Sequence, residues 1–324
     1  MEKFYFITHE NRDAYFNLAS EEYLLKQKGG YYFYLWINDP AVIVGINQNA
    51  FEEVNLSYVQ ENGIKVVRRL TGGGTVYHDG GNLCYTVIAP YDKDVDNYRK
   101  FTAPVIEYLN ELGVPAEFSG RNDITVDGKK ISGNAQTVHG DKIMHHGTIL
   151  FDTDPDALTL SLNPNKLKIE SKGIKSVRAR VMNIKDRLQK IVTIEQFKKG
   201  LADKFLSFCQ PYTFNQQDED AINKLVEEKY SHFEWNMGRS PKGKNVFTKK
   251  FAFGVLTISF DTEKGVMQNV SIMGDFFSLK DISGLEMALN GVRYEKEHLE
   301  NALKCANEFI YNADGKEIAN AMFE

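Results

Sequence analysis

The sequence predicts an α+β protein in two parts, a large part built from mixed sheets with flanking helices and a small ββαα part. Three observations support this prediction. Strand-like and helix-like segments are interleaved along most of the chain, and two strand-like segments followed by two helix-like ones occupy its end. The length of 324 residues exceeds the roughly 150 residues of one typical domain. The polar segment RSPKGKN (239–245) carries Pro and Gly and is the best boundary, which gives parts at 1–242 and 246–324.

The individual elements follow from apolar spacing and from turn residues. Residues 14–28 predict a helix, because Leu18, Leu24 and Leu25 share a face and Gly29 and Gly30 end it. Apolar runs bounded by turn residues predict the strands. The predicted strands are 31–37, 41–46, 64–70, 82–89 and 147–152, with hairpins at 120–136 and 251–276. The predicted helices are 52–61, 98–112, one starting near Thr193, 216–230, and two at the end of the chain.

Composition excludes several classes of protein. Hydrophobic residues make up 42% and charged residues 26%, which is too apolar for a disordered chain. A net charge of −5 argues against a general nucleic-acid coat protein or a polybasic membrane binder. The three cysteines, Cys84, Cys209 and Cys305, are too few and too far apart for a disulfide framework or a CxxC zinc site. With no apolar run of about 18 residues and no signal sequence, we expect a cytoplasmic protein without a membrane partner.

The segment RRLTGGGTVYHDGGN (68–82) is the strongest feature. Three successive glycines after a strand allow backbone N–H groups to approach an anion. Arg68 and Arg69 precede them, and a guanidinium can bind a carboxylate or a phosphate through two parallel hydrogen bonds. A GxGxxG fingerprint fails because Tyr77 replaces its third glycine. The segment predicts an anion-binding loop, and a plain flexible turn is the alternative.

The second motif is the hairpin around Asp127-Gly128, a pair typical of a two-residue turn. Such a turn brings residues of the two strands to one face in opposed pairs. The expected pairs are Val126 with Lys129, Thr125 with Lys130, and Asp123 with Ser132, so that Asp123, Thr125, Lys130 and Ser132 share a polar face. A lysine there can neutralise an anionic substrate, and an aspartate can hold Mg²⁺. An ordinary solvated surface hairpin is the alternative.

Two further segments carry charge or histidine. Residues 166–190 have a net charge of +7 and contain Gly173, which suggests a basic loop that closes over an anion. A solvated helix face or a nucleic-acid contact would also explain that charge. His145 and His146 open the predicted strand at 147–152, and they lack zinc-ligand spacing. We expect core or substrate-contacting histidines.

The order of four motifs resembles the lipoate–protein ligase family. They are RRLTGGGTVYHD, GRNDITVDGKKISGNAQ, HHGTILFD and KGIKSVRARVMN. The resemblance runs from about Asn17 to about Gly238, and the end of the chain is similar to the accessory domain of the long members. It implies a catalytic domain like those of biotin and lipoate ligases in 1–242 and an accessory domain in 246–324. It also implies that ATP and lipoate form lipoyl-adenylate, whose acyl group then passes to a lysine of a carrier protein.

The resemblance assigns roles to residues of this chain. Lys130 matches the essential lysine that contacts both the carboxylate and the α-phosphate, and Asp123 matches a Mg²⁺ ligand. The implied ATP contacts are Arg69, Gly74, Thr75, Val76, Tyr77, Asn82 and Lys130, and the implied lipoate contacts are Arg69, His78, Lys130 and His146. The implied loop over the adenylate, 171–183, includes Lys172, Gly173, Ser176, Val177 and Arg178.

The implied partners are lipoyl carriers, either the glycine-cleavage H protein or the lipoyl domains of 2-oxoacid dehydrogenase acyltransferase subunits. The main alternative is a lipoyl or octanoyl amidotransferase of the same fold, which works through a cysteine thioester. Cys209 and Cys305 lie outside the motifs, and Cys84 lies in an apolar strand, which is typical of the core. A nucleic-acid-binding module is a second alternative, and we expect no nucleic-acid partner.

Overall fold

The computed structural model describes residues 3–27, 29–93, 97–163, 180–238 and 243–323. The strands are β1 (Phe4–Ile7), β2 (Tyr31–Ile37), β3 (Ala41–Val44), β4 (Lys65–Arg68), β5 (Val76–His78), β6 (Asn82–Pro90), β7 (Ala116–Ser119), β8 (Asp123–Val126), β9 (Lys129–His139), β10 (Lys142–Leu150), β11 (Gln210–Tyr212), β12 (Asn245–Phe251), β13 (Gly254–Glu263) and β14 (Val266–Gly274). The helices are α1 (Ala14–Lys26), α2 (Ala50–Glu53), α3 (Leu56–Glu61), α4 (Asn97–Glu111), α5 (Pro155–Ser161), α6 (Ile194–Leu206), α7 (Gln216–Leu225), α8 (Phe233–Met237), α9 (Ser283–Leu289), α10 (Lys296–Ala302), α11 (Ala306–Phe309) and α12 (Gly315–Ala321). The described residues also form short 3₁₀ turns at Ile184–Arg187 and Leu303–Cys305 and a π-helical turn at Val226–Tyr230. None of the helices in these described ranges is long and apolar enough to span a membrane.

A large mixed sheet forms the centre of the first part. Its spatial order is β11-β1-β2-β6-β10-β9-β8-β7, with parallel pairing from β11 to β2 and antiparallel pairing beyond. The central strand β6 is buried on both faces because its side chains alternate between two cores. Leu83 and Tyr85 join the core beneath α4 and α6, whereas Cys84 and Ile88 join the core beneath α1.

A small three-stranded sheet, β4-β3-β5, carries the glycine-rich segment. Strand β4 ends at Arg68 and strand β5 begins at Val76, so the three glycines lie in the connection between the sheet's two edge strands. The expectation of a strand running into a glycine loop is therefore confirmed.

The predicted class of mixed sheets with flanking helices is confirmed, but ββαα undercounts the small part. A third strand, β12, pairs with β13, and four short helices follow the sheet instead of two. Most side chains of β12 are exposed or half-buried, including Val246, Lys249 and Lys250, so the segment lacks the alternation that marks a strand in a sequence. The core of this part consists of side chains from Phe251 to Met322.

The two parts meet at the glycine loop. The Gly73 N–H donates to the Phe276 carbonyl at 3.2 Å, and the Gly274 N–H donates to the Asn47 carbonyl at 2.9 Å. The Asn47 amide also donates to Ser278 Oγ at 2.9 Å. The turn after β14 is thereby attached to the loop that the sequence predicts to bind an anion. The domain limits at 242 and 246 remain a prediction.

Candidate functional site

A cavity of about 170 Å³ lies between the large sheet and the glycine loop. Seven residues singled out from the sequence line it: Arg69, Gly74, Thr75, Val76, His78, Lys130 and His146. Its other lining residues are Leu18, Trp36, Ile43, Gly73, Cys84, Asn122, Gly133, Asn134, Ala135, Gly147, Thr148 and Phe277. Segments that are far apart in sequence therefore converge on one space with cationic and apolar walls.

Arg69 is buried and holds the glycine loop. Its Nη2 donates to the carbonyls of Gly72 at 2.7 Å and Gly74 at 2.8 Å, and its Nε donates to Thr71 Oγ1 at 2.9 Å. Burial lowers the pKa of the guanidinium to about 10, while the nearby Glu21 carboxylate opposes that shift. Arg69 thus places a cation at the cavity wall and fixes the shape of the loop.

Arg68 has a different place from its neighbour. Its guanidinium is buried and donates to the carbonyls of Gly45, Gln48 and Asn236 at 2.7 to 3.0 Å. These contacts join the loop at 45–48, which follows β3, to α8. Arg68 therefore supports the site from below and does not line the cavity.

The Asp-Gly hairpin forms as β8 and β9, and it brings a cation and an anion together. Lys130 Nζ lies 2.8 Å from Asp123 Oδ1. Thr125 opposes Lys130 and Val126 opposes Lys129, as the turn predicts, but Asp123 opposes Gly133 instead of Ser132. A β-bulge next to Ile124 shifts the register, since two residues of β9 then face one residue of β8.

The bulge moves Ser132 away from the predicted polar face. Ser132 pairs with Ile124 and is only 1% exposed. Gly133 takes the place beside Lys130, where an added Cβ would lie 2.8 Å from Lys130 Nζ. The expectation for Ser132 was wrong, and the lysine–aspartate pair survives because the bulge leaves both residues on one face.

His146 lies in the cavity wall and connects to a residue that the sequence analysis missed. Its Nδ1 is 2.9 Å from Glu21 Oε1, and its Nε2 is 2.7 Å from Thr71 Oγ1. Glu21 lies three residues after Leu18 on the buried side of α1. A charged residue at such a position of an apolar stripe is a signal that could have been found.

The remaining wall is apolar and neutral. Leu18, Trp36, Ile43, Val76 and Ala135 supply the apolar side chains. Burial lowers the pKa of His78 to about 3, and the charges of Arg69 and His146 add to the effect. A neutral imidazole in an apolar wall suits a hydrocarbon tail better than an imidazolium would.

Cys84 is a core residue, as the sequence predicts, and it has a second role in the cavity wall. Its side chain lines the cavity, and its Sγ lies 3.5 Å from His78 Nδ1. Burial, together with the charge of Glu21, raises the pKa of the thiol well above its usual value. The arrangement gives the thiol an imidazole neighbour, but burial disfavours the thiolate.

Some predicted site residues lie elsewhere. Tyr77 points to the opposite side of β5 from Val76 and His78 and packs in a separate core with Val42 and Met237. Asn82 is buried outside the cavity, where its amide donates to the Tyr77 carbonyl at 3.4 Å. Their nucleotide contacts remain predictions.

The closing loop falls largely outside the described residues, which include none of its five named members, Lys172, Gly173, Ser176, Val177 and Arg178. Its described end forms a parallel bridge from Val181 to Lys130. In addition, the Met182 N–H donates to the Lys130 carbonyl at 3.0 Å. The segment 171–183 is therefore anchored at one end to the strand that carries Lys130.

Asn134 and Phe277 were also missed. Asn134 Oδ1 accepts from His145 Nε2 at 3.2 Å and from the Tyr85 hydroxyl, and the Asn134 amide donates to the Asn122 carbonyl. Phe277 comes from the small part, and the Arg121 guanidinium lies 4.4 Å from the centre of its ring. No local pattern connects either residue to the glycine loop, because the cavity forms only when distant segments pack together.

Comparison with known proteins decides the family. Residues 13–206 match the lipoyl protein ligase A/B catalytic domain, and residues 240–322 match the bacterial lipoate protein ligase C-terminus. The chain belongs to the lipoyl protein ligase A/B family. A curated relative, the lipoate-protein ligase LplJ of Bacillus subtilis, is 43% identical over 311 residues, which cover 93% of this chain and 94% of the relative. The sequence-based resemblance is confirmed.

Solved structures of similar proteins share the fold. LipL1 of Plasmodium falciparum in complex with lipoate has a TM-score of 0.81 at 27% identity and covers 99% of this chain and 98% of its own. A lipoate-protein ligase A bound with ATP has a TM-score of 0.63 at 30% identity, with coverage of 74% and 99%. The archaeal bipartite ligase of Thermoplasma acidophilum, studied with its E2 lipoyl domain, has a TM-score of 0.66 at 30% identity, with coverage of 76% and 100%.

The cavity wall combines two kinds of chemistry. Arg69 and Lys130 provide cations beside the glycine loop. Leu18 of α1, Trp36 of β2 and Ile43 of β3 provide apolar surface. Such a space suits a molecule with an anionic head and a hydrocarbon tail.

Proposed function

We propose that this chain is an ATP-dependent lipoate–protein ligase that uses the cavity for both steps of its reaction. The observation that carries the proposal is the presence of Arg69 and Lys130 in the wall of a cavity that is otherwise largely apolar. The relative from Bacillus subtilis has the same activity in its name, and structural neighbours bind lipoate or ATP.

The first step joins two anions and therefore needs cations. A lipoate oxygen attacks the α-phosphorus of ATP, the bond to the β-phosphate breaks, and pyrophosphate leaves with its electron pair. Lys130 neutralises the attacking carboxylate and the α-phosphate, and Arg69 holds the loop that faces them. Fixed charges of this kind stabilise the charge that accumulates in the transition state and need no reorganisation.

The residues also fit a magnesium ion that arrives with ATP. Mg²⁺ commonly takes one or two protein carboxylates and completes its shell with phosphate and water. Asp123, next to Lys130, offers one such carboxylate, and the described residues hold no cluster of three or more His, Cys, Asp and Glu side chains. When bound, the ion would supply positive charge for the phosphates, and Asp123 would hold it.

In the second step, the amine of a carrier lysine attacks the acyl carbon and AMP leaves. The activated acyl group has to be protected from water until this amine arrives. The archaeal relative was studied with its E2 lipoyl domain, which supports a lipoyl carrier as the partner. We infer that the carrier is a glycine-cleavage H protein or a lipoyl domain of a 2-oxoacid dehydrogenase, and that the reaction takes place in the cytoplasm.

The experiment is lipoate-dependent ATP–pyrophosphate exchange in Lys130→Ala. Loss of a charged group aimed at the reacting atoms is expected to lower the exchange rate about 10²- to 10³-fold. The matched control is Lys129→Ala, since Lys129 is exposed and adjacent in sequence. The ion pair of Lys130 with Asp123 is more than a third exposed, so unfolding free energy should change by less than about 1 kcal/mol. Full exchange in Lys130→Ala would remove Lys130 from the mechanism.

One observation favours a second candidate, the lipoyl or octanoyl amidotransferase. Cys84 and His78 lie side by side in the cavity wall, as a nucleophile and its base would. The raised pKa of the buried thiol argues against this chemistry. Cys84→Ala separates the two, because a ligase keeps its ATP-dependent transfer to the carrier, whereas a thioester enzyme loses all acyl transfer.

A further inference from the structure

Glu21 is a buried carboxylate that no step of the proposed reaction uses. It lies on the inward side of α1 and is 2% exposed. Its Oε1 accepts from Thr86 Oγ1 at 2.5 Å and lies 2.9 Å from His146 Nδ1. The carboxylate does not line the cavity, but His146, which it touches, does. A buried charge that contacts the wall of a site from behind can act on that site only through its neighbours.

The hydrogen bonds around Glu21 form a continuous series that leads to Arg69. The indole N–H of Trp36 can only donate, and it donates to Thr86 Oγ1 at 3.0 Å. Arg69 can also only donate, and its Nε donates to Thr71 Oγ1 at 2.9 Å. A threonine oxygen that accepts one of these hydrogen bonds can still donate its own proton, Thr86 to Glu21 and Thr71 to His146.

One direction of this series gives His146 a defined tautomer. In it, Thr71 donates to His146 Nε2, at 2.7 Å, and the ring proton lies on Nδ1 and points at Glu21. The chain Arg69–Thr71–His146–Glu21 thus runs in one direction, from a cation to a carboxylate. The other side of Arg69 holds the carbonyls of Gly72 and Gly74.

We propose that Glu21 is a positioning residue for adenylate formation, which sets the tautomer of His146 and through Thr71 and Arg69 the shape of the glycine loop. This proposal rests on the proposed function. It means that a residue of α1, behind the cavity wall, helps to determine the conformation of the glycine loop. The acid also supplies a negative charge near the buried guanidinium, which favours its charged form.

The neighbouring Glu22 offers a matched control. It is equally buried, but it is paired with Lys26 and Lys229, each at 2.6 Å, and accepts from the Tyr230 hydroxyl at 2.8 Å. These contacts join α1 to the turn after α7 and do not reach the cavity. Glu22→Gln removes a buried charge from the same helix and leaves intact the hydrogen bonds that connect Glu21 to Arg69.

The kinetic test compares Glu21→Gln, Glu21→Asp and Glu22→Gln in lipoate-dependent ATP–pyrophosphate exchange. Misplacement of reacting groups by about an ångström costs on the order of 10²-fold in rate. We expect Glu21→Gln to lower kcat by that order while KM for lipoate changes little, because the apolar wall remains. Glu21→Asp keeps the charge and should recover much of the rate, and Glu22→Gln should keep the parental kcat. Equal kcat in Glu21→Gln and the parent, or an equal loss in Glu22→Gln, would overturn the proposal.

A second readout needs neither substrate nor activity. Long-range ¹H–¹⁵N spectra of the intact protein distinguish an imidazole protonated at Nδ1 from one protonated at Nε2, and His146→Gln assigns the signals. The expected result is the Nδ1–H form in the parent. An Nε2–H form or a doubly protonated ring in the parent would refute this series of donors even if Glu21→Gln failed to fold. Absence of lipoate-dependent exchange in the parent would instead refute the proposed function and leave the tautomer result standing.

Discussion

His145 should make the protein sensitive to mild acid. Its ring is fully buried, with Nδ1 2.9 Å from the Gln136 amide and Nε2 3.2 Å from Asn134 Oδ1. Burial lowers its pKa from 6.5 to about 3, and the charge of His146 adds to the effect. Because the folded pKa lies below the unfolded one, the unfolded state binds the proton first as pH falls. Stability from this group is therefore complete above pH 6.5 and is lost between pH 6.5 and 3.

The size of the effect follows from the pKa values. Each unit between the unfolded pKa and the working pH is equivalent to 1.36 kcal/mol, so at pH 5 the loss for one such histidine is about 2 kcal/mol. Urea unfolding at pH 7 and pH 5 should show a drop in the free energy of unfolding that is about 2 kcal/mol smaller in His145→Gln than in the parent. Both pH values lie above the range in which most carboxylates titrate, which keeps the comparison simple.

The matched control replaces an exposed histidine, as in His139→Gln, which should keep the parental drop. Equal drops in His145→Gln and the parent would refute the reasoning, because they would show that His145 takes up no proton on unfolding. A larger drop in the variant would contradict the sign of the argument.

Two further predictions concern the cavity wall. Gly147→Ala should lower the free energy of unfolding by about 1–3 kcal/mol in urea titration, because the new Cβ would lie 2.1 Å from Asn134 Oδ1 and 2.7 Å from the Tyr85 ring. Gly80→Ala is its control, since the nearest atom there is 3.7 Å away, and equal losses would contradict the steric cause. Cys84 should react with iodoacetamide far more slowly in the folded protein than in urea, because burial raises the pKa of its thiol and blocks access. Mass spectrometry of the labelled peptide checks this, and fast labelling of the folded protein would favour the thioester alternative.

Local pattern was enough to predict much of the fold and part of the site. The glycine loop and the Asp-Gly hairpin are formed by residues close together in sequence, so their turn chemistry alone brought Lys130 and Asp123 to one face. The bulge at Ile124 was not predictable from alternation, since one extra residue in β9 changes register without changing composition. Its effect was confined to Ser132.

Contacts between distant segments set the limit of sequence reasoning. Glu21 meets His146 across 125 positions of sequence, and Phe277 reaches the cavity from the other part of the chain. The strands that were missed, such as Phe4–Ile7, Val76–His78 and Gln210–Tyr212, have only three or four residues, too few to show a period. Their pairing is decided by the neighbouring strand.

The hydrogen bond between Gly73 and Phe276 has a thermodynamic consequence for ligand affinity. The Gly73 N–H is one of the donors that the loop would offer to a phosphate, and the Phe276 carbonyl already occupies it. Any ligand atom that uses this donor must first displace the carbonyl, and a neutral hydrogen bond of this kind contributes about 0.5–1.5 kcal/mol. The binding free energy of such a ligand therefore contains the free energy of its new hydrogen bond minus that of the hydrogen bond to the Phe276 carbonyl. By linkage, binding of the same ligand makes the association between the small part and the large part less favourable by an equal free energy.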